Sequence, residues 1–67
     1  MQQVQSPVDN VTYNLIASLH SSLEAVEVCQ KYIKDDPNGE TGKLFRQLAD
    51  EYADQSRRLL DMLRSRL

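Results

Sequence analysis

His20, Glu24 and Glu27 come nearest to a chemical constellation in this chain. On a helix, steps of three and four residues return to one face, so His20 and Glu24 stand one turn apart and Glu27 two turns from His20. An imidazole beside carboxylates is a ligand set for a divalent metal. Tyr13 and Lys31 share that face, and Lys31 is placed to neutralise Glu27, which makes it equally an ordinary solvated surface. The solvated reading is preferred. Metal sites inside helical bundles draw on inward carboxylates and a Glu-x-x-His pair, and here Glu51 has Asp54 at the histidine's place. No metal ligand and no cofactor is therefore assigned.

Arg57, Arg58, Arg64 and Arg66 form the one basic cluster, a candidate for phosphate contacts. Asp50, Asp54 and Asp61 are interleaved with it, so ion-paired solubility is the better account and nucleic acid is a disfavoured partner. Cys29 falls at the edge of an apolar stripe, where a thiol is usually an inert small hydrophobe. A nucleophile–base pair with His20 would need both on one face, and nine residues along a helix separate their faces. No catalytic set is assembled, and the chain is not expected to be an enzyme.

The elements that carry these residues are two helices. The stretch LFRQLADEYADQSRRLLDMLRSRL has neither proline nor glycine. Its Leu44, Phe45, Leu48, Tyr52, Gln55, Leu59, Met62 and Leu63 recur at helical spacing and predict one apolar face. Upstream, Val8, Leu15, Leu19, Val26 and Ile33 form a stripe widened by Ile16, Leu23 and Cys29, the breadth a bundle helix needs. Ser22 and Gln55 interrupt the two stripes near their middles, which would place a polar layer at mid-height of an antiparallel pair. Surface ion pairs are expected between Glu27 and Lys31, Asp54 and Arg57 or Arg58, and Asp61 and Arg64.

Between the stripes, Asp35-Asp36-Pro37-Asn38-Gly39 predicts the turn, because the residue before a proline avoids the α region. Asp36 is placed to cap the second helix with Pro37 at its first position, although Gly39 and Gly42 weaken that start and allow it to slip to Thr41. At the other end Ser6-Pro7 offers a cap and first position, with Asp9 backed by Thr12 as the alternative cap. The organisation expected is a flexible tail over residues 1–6 and one domain over residues 7–67. Within it, helix one runs over about 8–34, the turn over 35–39 and helix two over about 40–66. The fold class is all-α, an antiparallel two-helix hairpin that dimerises into a four-helix bundle.

The whole chain has 67 residues, 40% hydrophobic and 27% charged, with a formal net charge of −2. So short a chain buries a modest core. A mild negative balance argues against a broad phosphate-binding surface, and nothing in the sequence anchors it to a membrane. One cysteine precludes an internal disulfide, and with no signal-peptide pattern a reducing cytoplasm is expected. A second apolar edge on helix two, Ala49, Ala53, Ser56, Leu60 and Leu67, and a flank on helix one, Ala25, Val28 and Tyr32, predict a packing surface for a second copy.

LFRQLADEYADQSRRLLDML resembles the second helix of small bacterial ferritin-like hairpins of unknown function, and YNLIASLHSSLEAVEVCQKYIKDDP is similar to their first helix and Asp-Pro turn. The resemblance covers residues 11–63 and implies a half-ferritin hairpin that pairs to complete four helices. It would also imply a helix-one glutamate, matched by Glu24 or Glu27, and a Glu-x-x-His that this sequence lacks. The function expected is a non-enzymatic cytoplasmic interaction or assembly module, acting with itself or with another protein. A ferritin-like metal-binding half-bundle is the alternative. A small RNA-binding hairpin dimer, the architecture of the two-helix regulator of plasmid copy number, is a second alternative.

Overall fold

The computed structural model describes residues 8–67 and consists there of two α-helices, α1 (Asn10–Asp35) and α2 (Glu40–Arg64), packed antiparallel on each other. The expected tail and the Ser6-Pro7 cap lie outside the described residues. Asp9 caps α1: its carboxylate Oδ1 accepts from the Thr12 backbone N–H at 2.8 Å. An oxygen there serves one of the donors that the first turn leaves without a helical partner.

α1 ends where the proline requires. Asp36 leaves the helical region, with φ −150° and ψ 63°, and its N–H closes back onto the Ile33 carbonyl at 3.1 Å. Pro37 stays in the turn instead of opening α2, whose N-cap is Gly39 with no capping side chain of its own. Asp36 serves α2 from outside: its carboxylate accepts from the Thr41 hydroxyl at 2.6 Å and the Thr41 N–H at 3.3 Å. Arg46 reaches back to the Pro37 carbonyl and ties the turn to the first turns of α2.

The seam between the helices differs from the two stripes of large apolar residues. Its buried members are Thr12, Ser22 and Cys29 on α1 and Gly42, Ser56 and Leu63 on α2, all but Leu63 small. Ser22 faces Ser56, Tyr32 faces Phe45 and Arg66 reaches Thr12, so a step forward on one helix is matched by a step back on the other. That register sets Leu15 level with Leu63 and Cys29 level with Ala49. Gly42, Ala49, Ser56 and Leu63 recur every seven residues, the repeat that keeps a seam facing its partner. Small side chains on it let the backbones approach, and the large ones are displaced to either flank.

The stripe from Leu44 to Leu63 is thus corrected in part by a rotation of α2: Leu63 is buried and Phe45, Leu48, Tyr52 and Leu59 are half-buried, but its other members turn outward. Leu44 is 50% exposed and Met62 56%, while Gln55 faces solvent, leaving Ser56 as the partner of Ser22. The polar layer at mid-height is present, with a different second member. Across its thinnest direction the molecule measures 12 Å, the thickness of one helix.

Candidate interaction surface

A single layer of helices has two broad faces, and here both are apolar. Because the seam takes the small residues, no side chain among the described residues is fully buried. One face is built by Leu19, Leu23 and Val26 from α1 with Ala53 and Leu60 from α2, forming a shallow groove with Ser56 in its floor and Arg57 at its rim. On it α1 supplies three large apolar residues and α2 the small Ala53 and Ser56 beside Leu60. On the other face Tyr52 and Leu59 of α2 stand beside Ser18 and Ser21 of α1, and Met62 lies near Leu15. Farther toward the turn, Tyr32 meets Phe45 edge to face, with ring centroids 5.0 Å apart. Domain architectures cover such faces with a second layer.

The residues expected at an oligomer interface do not form one patch. Ala53 and Leu60 line the groove and are half-buried. Ala25, Val28 and Tyr32 lie on the opposite face, the one on which Tyr32 meets Phe45. Ser56, expected on an outer edge, is turned inward and hydrogen-bonded to Ser22 at 2.7 Å, and Ala49 is half-buried on the same seam repeat. The physical reason is the rotation of α2: its small-residue edge makes the hairpin contact itself. The heptad recurrence of Gly42, Ala49 and Ser56 was the sequence signal for this, and it also identifies Leu19, Leu23 and Val26 as the groove wall, since they flank the matching repeat through Ser22 and Cys29.

The chemically equipped residues are scattered over the surface. His20 Nδ1 stands 3.8 Å from Glu24 Oε1, with both side chains largely exposed. Glu27 joins neither, and no three His, Cys, Asp or Glu groups converge among the described residues. Asp54 holds Arg57 at 3.5 Å and Arg58 at 3.8 Å. Neither Glu27–Lys31 nor Asp61–Arg64 closes to ion-pair distance among the described residues. Arg66 folds back across the open end of the hairpin, donating to Thr12 Oγ1 at 3.3 Å and to Asp9 Oδ2 at 3.5 Å. Cys29 is buried and carries a free thiol.

Two carboxyls are held below their ordinary value. For Asp9 the main cause is the hydrogen bond from the Thr12 N–H, with Arg66 adding attraction. For Asp36 it is the Thr41 hydroxyl, aided by backbone N–H groups of the α2 start. Hydrogen bonds donated to a carboxylate favour its charged form. Both belong to the ends of helices, so the perturbed groups serve the fold.

No helix among the described residues is long and apolar enough to cross a membrane. No protein-family model matches the chain, and neither a curated protein nor a solved structure matches it.

Proposed function

We propose that this chain is a non-enzymatic assembly module that works as a homodimer, two hairpins closing a four-helix bundle, in the reducing cytoplasm. The observation that carries it is the single layer with two apolar faces and, among the described residues, no fully buried side chain. Leu23 at 51% exposure and Ile16 at 42% flank the groove side of α1. A hairpin with so thin an interior is marginal by itself. Burying such a face against a second layer contributes roughly 25 cal/mol for each Å² of apolar area, and a two-fold pair is the commonest way to supply that layer.

Size-exclusion chromatography with light scattering, run over micromolar concentrations, tests the proposal. The expected mass is that of two chains. A folded monomer whose melting temperature is independent of dilution would sink the dimer and the assembly role resting on it.

A further inference from the structure

The charges bordering the groove distinguish between two ways of laying a second hairpin on it. Along the outer border on α1, every seventh residue is Tyr13, His20, Glu27 and Lys34; along the border on α2 it is Lys43, Asp50, Arg57 and Arg64. All eight are exposed. Arg57 lies at the groove rim and shares Asp54 with Arg58, whereas Glu27 and Asp50 have no ion-pair partner among the described residues.

A two-fold axis along the helices would lay α1 over the α2 of the second copy at equal height. The register of the hairpin then sets Lys34 beside Lys43 and Glu27 beside Asp50. Both meetings are between like charges, and His20 faces Arg57. An axis across the helices lays each helix antiparallel on its own counterpart. His20 then meets Glu27 of the second copy, and Asp50 meets Arg57, each contact occurring twice by symmetry. Lys43 and Arg64 of the second copy also meet, a like-charge contact at the outer ends comparable to that of Lys34 with Lys43 in the other arrangement, so the two arrangements differ at mid-height, where Asp50 faces either Arg57 or Glu27. Leu23 crosses Leu23 of the second copy near the axis, and Ala53 crosses Ala53, where small side chains admit close approach. Complementary borders select orientation more than they supply affinity, and like charges facing each other reject the alternative.

Resting on the homodimer reading, we infer that the second copy docks on the Leu19/Leu23/Val26/Ala53/Leu60 groove, with α1 antiparallel to α1 and α2 antiparallel to α2. The opposite face, with Tyr32, Phe45, Tyr52 and Leu59, then remains on the outside of the bundle.

Charge reversal at Asp50 and Arg57 tests the orientation, with dissociation constants read by sedimentation and folding checked by circular dichroism. Asp50→Arg sets Arg against Arg57 and should weaken the dimer about tenfold; Arg57→Asp should weaken it similarly, since two symmetric contacts are lost each time. The double variant D50R/R57D should recover most of the wild-type affinity. Tighter association of Asp50→Arg would overturn the inference in favour of α1 over α2, because the substitution would then have replaced the repulsion between Asp50 and Glu27 with attraction. Unchanged association in all three variants would show that this face is not the interface. A wild-type monomer would fail the homodimer reading itself, and so is distinguishable from a dimer with the wrong charge response.

Discussion

The hydroxyls of Ser22 and Ser56 lie 2.7 Å apart in the middle of the seam, and each is also within bonding distance of its own helix. Ser22 Oγ stands 3.0 Å from the Leu19 carbonyl and Ser56 Oγ 2.9 Å from the Tyr52 carbonyl. Two hydroxyls own two protons, so these three contacts cannot all be full hydrogen bonds at once. One hydroxyl donates across the seam while the other donates to its helix. Removing either partner still leaves the survivor a carbonyl acceptor, so Ser22→Ala or Ser56→Ala should each cost about 1 kcal/mol. The double alanine should cost less than the sum, because replacing both members of a polar pair strands neither. Denaturant unfolding of the four-member cycle measures the coupling. Strict additivity would show that the cross-seam bond contributes nothing.

Gly42 makes a sharper case. A glycine inside a helix normally gains about 1 kcal/mol on replacement by alanine. At Gly42 an added Cβ would fall on the backbone carbonyl of Asp36, far inside van der Waals contact. That carbonyl belongs to a turn anchored at Ile33, so it cannot swing away as a side chain would. Gly42→Ala should therefore destabilise by about 1–3 kcal/mol, the range for forced overpacking. At Gly39 the nearest atoms an added Cβ would meet are those of the Asp36 carboxylate, which can rotate at the expense of its bond to Thr41. The cost of Gly39→Ala should be smaller. Chemical denaturation ranks the two, and a more stable Gly42→Ala protein would contradict the close approach of the turn to α2.

The same close approach explains what the sequence made legible. The two helices, their antiparallel order and the turn at Asp36-Pro37 follow from periodicity and breakers, and the alternative cap at Asp9 is the one found. The rotation of α2 is not legible in a pattern of large apolar residues, because those residues do not mark the closest contact. In a two-helix seam the nearest positions must be small, so Ser22, Cys29, Gly42 and Ser56 take them. Tyr52 and Leu59 cover one flank and Leu60 the other. This is why a surface drawn from Ala25, Val28, Tyr32, Ala53 and Leu60 splits across both faces. Charge positions were readable, but their meaning at a border depends on knowing which face is which.

Acid should loosen both ends of the hairpin. The ordinary carboxyl value of 3.8 applies to Asp9 and Asp36 in the unfolded chain, and both lie below it in the fold. The unfolded state therefore takes up protons first as pH falls. The stabilisation is complete above 3.8 and is lost as pH drops through the lower folded values. Melting temperature should vary little with these two groups from about pH 7 to about pH 5, then decline below about pH 4. Asp9→Asn keeps a competent cap but no longer titrates, so its acid slope should be shallower than that of the wild type. An identical slope would show that Asp9 contributes no charge-dependent stability.

Leu63 and Leu60 separate folding from association. Leu63 is buried in the seam, level with Leu15, and Leu60 lines the groove three residues earlier. Leu63→Ala removes seam packing and should cost about 2–4 kcal/mol as a core truncation. Leu60→Glu leaves the seam intact and sets a charge on the proposed interface, where a second copy would have to desolvate it. If folding and pairing are coupled, the wild-type melting temperature should rise with protein concentration. Leu63→Ala should lower the whole curve while retaining that dependence. Leu60→Glu should abolish the dependence and shift the mass toward one chain, with helicity reduced to whatever the lone hairpin supports. Thermal melts over about a hundredfold range of concentration, paired with light scattering, read both quantities. A Leu60→Glu protein with wild-type mass and wild-type dilution behaviour would place the contact on the Tyr52 and Leu59 face instead.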